Sequence, residues 1–190
     1  TTKNKPHKPL VEKLTKSGLW SRFIAFPGWQ VAPIPGEPPP PVGEHDEPRP
    51  MPTIRAIYVS AVGTEPHEPD PAVALKGHED LFAAGLEVIK QIAKKTWLFT
   101  PKGKKLPSEA VSVTGVQHRV IEDSYPSGNV GLQVYYTEHL AKDEVAVGLN
   151  LEDVIDIGHL FLNGNLRTHR TYARAGNRAK DRKHYLARQG

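Results

Sequence analysis

Apolar positions fall into short runs whose spacing changes along the chain, and each change of spacing predicts a different element. Between Pro9 and Trp20 they recur at Leu10, Val11, Leu14 and Leu19, the spacing of a short amphipathic helix that Gly18 ends. The pattern then stops. Nine of the twenty residues from 33 to 52 are proline, including the run 38–41. Proline lacks the N–H that a helix or central strand requires, so this stretch reads as an extended, polyproline-like strap across the surface. The alternative use of such a segment is as a ligand for an SH3-type domain.

Order resumes at Thr53. Residues 54–61 (IRAIYVSA) are β-branched and apolar without strict alternation, which predicts a central buried strand. A turn, GTEPHEPDP at 63–71, leads into a helical region at 72–95, with Asp70 as cap and Pro71 in the first turn. Leu75, Phe82, Leu86, Ile89 and Ala93 form its apolar stripe, widened by Leu81 and Ile92, and Gly77 is placed to divide it in two. Strands are predicted at 96–100 and within 110–121. This strand–helix–strand order implies a right-handed βαβ unit on a largely parallel sheet. Residues 128–140 fit two templates: Val130, Leu132, Val134 and Tyr136 alternate, while Leu132, Tyr135, Tyr136 and His139 follow a helical spacing. A strand at 145–149 precedes the clearest helix. Asn150 caps it, Glu152 and Asp153 favour its positive end, and Leu151, Val154, Ile155, Gly158 and Leu162 line its inner face up to Asn163-Gly164.

Composition narrows the function classes. The chain has no cysteine, which excludes disulfides, thiolate zinc sites, iron–sulfur clusters and thiol nucleophiles. No apolar run reaches the length of a membrane span. The opening TTKNKPHKPL has neither an initiating Met nor the apolar centre of a signal peptide, which points to a fragment. The net charge of +4 is concentrated: residues 166–190 hold eight Lys/Arg against one Asp, leaving −3 for the rest. A basic tail, not a basic domain surface, sets the isoelectric point.

The candidate chemistry is thin. A nucleotide site would need glycines in the turn after the first strand, where backbone amides approach phosphate. That turn has one glycine, Gly63, with three prolines and three carboxylates, Glu65, Glu68 and Asp70, so a phosphate cradle is not expected there. Neither GxGxxG nor a P-loop occurs. His67 and His78 lie near Glu65, Glu68, Asp70 and Glu79, but without metal-site spacing; scattered surface or packing histidines account for all nine, His159 beside the apolar face of the last helix included. No GxSxG elbow is present. Asp153 and Asp156 share one helix face, read as two acids on a solvated surface, and Tyr125-Pro-Ser-Gly128 reads as a plain turn. Arg167, Arg170 and Arg174, interspersed with Tyr172, offer RNA or an anionic lipid surface a contact; the alternative is a charged strand that pairs with a following domain. No catalytic, cofactor-binding or metal-ligating residue is assigned.

Several stretches resemble one family. Ser17-Gly-Leu-Trp20 followed by Phe26-Pro27, the run TIRAIYVSAVGTEPHEPDPAVALKGHEDLFAAGLEVI at 53–89, and LNLEDVIDIGHLF at 149–161 are similar to the central domain of the NqrA family, one of the subunit families of the sodium-translocating NADH:quinone oxidoreductases. The resemblance covers nearly the whole chain outside the strap. It implies a three-layer α/β sandwich related to the NADH- and FMN-binding subunit of respiratory complex I, whose flavin loop reads roughly SGLxGRGGAGFP. Here the corresponding stretch is SGLWSRFIAFP at 17–27, with Phe23 and Ile24 where glycines would stand. The scaffold is thus expected to be kept and the flavin lost, with Phe23, Ile24 and Phe26 plugging the cleft. Read this way, residues 1–32 are a leading helix and degenerate flavin-loop equivalent and 33–52 the strap. Residues 53–165 form the α/β core, and 166–190 a basic extension toward a C-terminal β-grasp domain outside this chain. A full subunit would also carry an N-terminal lipoyl-like domain. The implied role is that of a peripheral piece of a sodium-exporting respiratory complex on the cytoplasmic face of the bacterial inner membrane. Its partners would be the other subunits. It would hold no redox cofactor of its own, although quinone is a candidate ligand in the assembled complex. Two alternatives stand beside it: an FMN- or NADH-binding oxidoreductase domain with a non-standard site, and an anionic-polymer or lipid-surface module acting through the tail.

Overall fold

A computed structural model describes residues 8–28, 30–37 and 51–189. Most of the proline strap, residues 38–50, lies outside the described residues. The first helix, α1 (Lys8–Lys16), buries Val11 and Leu14 and stops before Gly18, whose φ of 81° suits glycine. A single 3₁₀ turn at Leu19–Arg22 then leads into β1 (Ile24–Phe26) and β2 (Gln30–Val31). The central strand β3 (Thr53–Ser60) follows the strap, as its apolar run predicts.

The helical region after it is shorter than its periodicity suggests. It consists of α2 (Pro71–Leu75) and α3 (Glu79–Ile89), separated at Gly77 with φ of 78°, and it ends at Ile89 instead of continuing to residue 95. Asp70 accepts a hydrogen bond from Ala72 N–H at 2.9 Å, the expected cap. Then come β4 (Lys95–Pro101), a one-turn α4 (Ser108–Val111) that no periodicity announces, and the exposed strand β5 (Gln117–Ile121). The ambiguous segment is a helix, α5 (Val130–Tyr135), because the Asn129 side chain accepts from Gly131 N–H at 2.9 Å and fixes its first turn. Next are β6 (Glu144–Asn150) and α6 (Leu151–Asn163), whose capping box pairs Asp153 N–H with Asn150 Oδ1 at 2.9 Å; Gly164 ends it at φ 76°. The basic extension folds back on itself as a hairpin of β7 (His169–Arg174) and β8 (Lys183–Arg188), with Tyr172 opposite Tyr185.

Six strands make one sheet in the order β2-β1-β6-β3-β4-β5, parallel from β6 through β5 and antiparallel at β1 and β2. Both faces are covered, which explains why β3 shows no alternation. Ile57, Val59 and Leu98 meet α1, α2, α3 and α6 on one face, and Ala56, Tyr58 and Phe99 meet Val134 of α5 on the other. Layers of helix, sheet and helix result, with the α5 layer much the thinner.

Two features organise the thicker layer. Helices α3 and α6 touch backbone to backbone: a Cβ on Gly158 would run into the Leu81 carbonyl, and one on Gly85 into the Val154 carbonyl. Phe23 is fully buried and stacks on Trp20 with ring centroids 4.5 Å apart, while the Trp20 indole N–H donates to the Ala32 carbonyl at 2.9 Å. Phe26 is buried in the cluster on the opposite face and Ile24 is half-buried. One inner-face assignment fails: Leu162 is 59% exposed, and Leu160 and Ile157 take the buried positions.

Two stability outcomes follow from this packing. Gly158→Ala should lower the urea midpoint by the equivalent of about 3 kcal/mol, the upper end of overpacking costs, because rigid backbone and not a flexible side chain opposes the new methyl. Phe23→Ala should cost about 3–5 kcal/mol in the same assay, since it removes a fully buried ring and its stacking partner's contact. A shift below about 0.5 kcal/mol for either would contradict the packing described.

Candidate functional site

In an open α/β sheet the crevice outside the carboxyl ends of the strands, where successive crossovers diverge, is the usual ligand position. Here β3 leads by way of α2 and α3 to β4 on one side, while α5 leads back to β6 on the other, so the divergence lies between β3 and β6. Their C-terminal ends, Ser60 and Asn150, line a crevice of about 400 Å³. Its walls include Gly63, His67, Glu68, Pro71 and the N-terminal turn of α6. Hairpin residues Arg170, Thr171, Tyr172 and Ala173 close one side of it.

The chain's own atoms fill the positions a phosphate would need. A Cβ on Gly63 would lie 2.8 Å from the Pro69 carbonyl oxygen and 3.0 Å from Pro71 Cδ, so this glycine serves the fold-back of its own turn. The turn offers no N–H at Pro66, Pro69 or Pro71. From the α5 side, the stretch read as a plain turn reaches into the same junction. Ser60 Oγ donates to the Gly128 carbonyl at 3.0 Å, Gly128 N–H donates to Thr64 Oγ1 at 2.9 Å, and Gln133 Nε2 donates to Ser127 O at 2.9 Å. A Cβ on Gly128 would strike the Val62 carbonyl. The turn after β3 and the Ser127–Gly128 stretch are thus tied to each other and offer few free amide donors to a ligand at this junction.

What the sequence misses is the charge beneath the hairpin. Asp153 and Asp156 are not on a solvated face: they are 5% and 3% exposed. Arg167 and Arg170, read as free cations, turn inward onto them. Arg167 Nε donates to Asp156 Oδ1 at 2.7 Å and its Nη2 to Glu152. Arg170 Nε donates to Asp156 Oδ2 at 2.9 Å, and its Nη2 to Asp153 Oδ1 at 2.7 Å and to Asp156. Glu152 also accepts from Thr171 N–H at 3.2 Å. The two guanidiniums and three carboxylates latch the root of the hairpin to α6. Burial pushes the Asp153 carboxyl up, against Arg170 and the Asn150 N–H, which hold it down. Burial likewise opposes the charge on Arg170, but Asp153 and Asp156 outweigh it and raise its pKa. The guanidinium is the fixed charge of this pair and the carboxylate its proton-sensitive half. Only Arg174 of the three tail arginines remains exposed.

The histidines separate into two places. His67 sits at the crevice in a left-handed conformation, φ 67°, packed against Gly176 of the hairpin turn. His78, His159 and His169 border a second depression of about 380 Å³, where His159 Nδ1 lies 3.1 Å from the Asn165 carbonyl. Among the described residues, no three His, Asp or Glu side chains are grouped to hold a metal ion. Asp70, besides its cap, pairs with Lys104 at 3.1 Å, and its N–H donates to His184 Nε2 of β8 at 3.0 Å, a second polar tie on the hairpin.

Comparison with known proteins matches residues 45–166 to the family described as the NqrA second alpha/beta domain. The chain is 31% identical over 165 residues to the A subunit of the Na(+)-translocating NADH-quinone reductase of Pseudomonas aeruginosa, covering 87% of this chain and 33% of that protein. It is 27% identical over 164 residues to the protein of the same name from Vibrio campbellii, covering 86% of this chain and 33% of that one. To the one from Alcanivorax borkumensis it is 29% identical over 170 residues, covering 89% and 34%. The chain spans about a third of the length of these relatives.

Removing one side of the latch should be costly. Arg170→Ala leaves two buried carboxylates under-compensated and is expected to destabilise the chain by about 3–5 kcal/mol in a denaturant titration. Hydrogen exchange should quicken across residues 169–188, and adding Asp153→Asn should recover part of the loss. Unchanged exchange in the hairpin would show that the latch does not hold it.

Proposed function

The chain belongs to the NqrA family through its second alpha/beta domain, and from that premise we propose that it is part of a peripheral subunit of a sodium-translocating NADH–quinone reductase. Its contribution is structural and interfacial, without a redox group of its own. The observation that carries this reading is the junction between β3 and β6, which prolines, Gly128 and a latched hairpin occupy from both faces. A domain that handled a dinucleotide would keep amide donors and open space there. Phe23, buried against Trp20, and Phe26, buried on the opposite face, support the view that the flavin-loop equivalent has become core. That reading makes the domain a relative of the FMN-binding domain of complex I that has lost its cofactor.

The remaining elements of the proposal concern assembly. Among the described residues no helix is long and apolar enough to cross a membrane, which suits a piece that joins the complex from outside the bilayer. The partners are the other subunits of the reductase, the position is the cytoplasmic face of the membrane, and quinone is a candidate ligand where subunits meet. Chemistry in such a complex would pass through other subunits, and this domain would hold their geometry.

Titration of the purified chain with FMN and with NADH, by calorimetry and by fluorescence, tests the central claim. No saturable binding is expected. A dissociation constant below about 10 μM, roughly −7 kcal/mol, for either would overturn it.

A further inference from the structure

The hairpin divides the basic residues of the tail into two sets. Arg167 and Arg170 at its root are spent on the carboxylates of α6. At the turn end, Arg174, Arg178, Lys180, Arg182 and Lys183 are all exposed, against one acid, Asp181. On the body, six of the fourteen described Lys and Arg residues, Lys16, Arg55, Lys90, Lys95, Lys102 and Lys104, have a carboxylate within 4.0 Å. At the hairpin's far end the sole ion pair among the described residues is Lys183 with Asp181, at 4.0 Å. Of the acids on neighbouring loops, Glu65 and Glu68 flank His67 under Gly176, where the Glu68 carboxylate accepts from Glu65 N–H at 3.1 Å, and Asp70 pairs with Lys104; none of the three has an ion pair with a hairpin cation.

We propose that the far end of the β7–β8 hairpin is a docking surface for anionic lipid headgroups. Arg174, Arg178, Lys180 and Arg182 have no ion pair among the described residues, so a surface of fixed negative charge has little to displace from them. Tyr172 and Tyr185, cross-strand partners on the face that carries Arg174 and Lys183, add side chains suited to the headgroup level. The latch turns this local charge into an oriented one: with its root clamped to α6, the hairpin presents its far end at a fixed angle to the sheet. The choice of a membrane over a nucleic acid rests on the proposed place in a sodium-translocating reductase, since translocating sodium requires a membrane beside the protein.

Sedimentation of the full chain with vesicles tests this. Phosphatidylcholine vesicles with about 30 mol% phosphatidylglycerol should carry the protein down, pure phosphatidylcholine should not, and about 0.5 M NaCl should release it. The variant Arg178→Glu/Lys180→Glu/Arg182→Glu alters only turn residues, so its thermal melt should match the parent, and its partition coefficient should drop by about a hundredfold or more. Equal partition of variant and parent, binding that ignores salt, or complete displacement from vesicles by a short single-stranded RNA at equal charge overturns the proposal. A chain that joins the assembled reductase yet ignores anionic vesicles disproves this docking surface and leaves the proposed place in the complex intact. A chain that binds vesicles but fails to join the complex does the reverse.

Discussion

Helix α6 places two carboxylates, Asp153 and Asp156, on the side that faces protein, and everything around the C-terminal edge of the sheet is arranged to answer that charge. An isolated buried carboxylate is too costly to persist, so a partner must be brought to it. The partners come from beyond the helix end: the chain turns at Gly164 and returns with Arg167 and Arg170, three residues apart, reaching back along the helix. Asp153 serves twice, since its other oxygen accepts from the Asn150 N–H that begins the helix. Helix start, helix charge and hairpin position are therefore coupled through one side chain. The hairpin has no fully buried residue, and a two-stranded ribbon is marginal without an apolar seat. Its place depends on these ion pairs and on the His184–Asp70 contact.

That dependence separates what could be read from the sequence from what could not. The Asn150 cap, the Asp70 cap, the β3 run and the break at Gly77 each rest on residues within one turn of one another, and local chemistry decided them. The α5 segment carried its answer in Asn129, a capping side chain one residue ahead of the ambiguous pattern. The latch could not be seen this way. Asp156 and its guanidinium partners are 11 and 14 residues apart across a turn, and a helix with acids at i and i+3 reads as solvated unless the returning strand is known. The hairpin was equally silent: His169, Thr171 and Ala173 alternate with Arg170, Tyr172 and Arg174, and neither set is apolar enough to mark an inner face. For the candidate crevice, the prolines and acids of 63–71 were legible in the sequence, while the part played by Gly128 required the fold.

The junction between β3 and β6 is tied together by polar contacts of the chain itself. In a nucleotide-binding sheet the strand ends leave backbone donors unsatisfied until phosphate arrives. Here one backbone donor, Gly128 N–H, finds Thr64 Oγ1, and two side-chain donors, Ser60 Oγ and Gln133 Nε2, are taken by the Gly128 and Ser127 carbonyls. Prolines at 66, 69 and 71 remove donors outright. The crevice walls carry both signs of charge, Glu68 and Glu152 beside Arg22 and Arg170. The same closure makes the edge rigid, and rigidity at that edge is what a domain needs if its role is to hold a charged hairpin and neighbouring subunits in fixed relation. The Thr64–Gly128 contact ties the turn after β3 to the segment before α5, and the Arg167 and Arg170 pairs tie the hairpin to α6, so both sides of the β3–β6 junction are held by the chain itself.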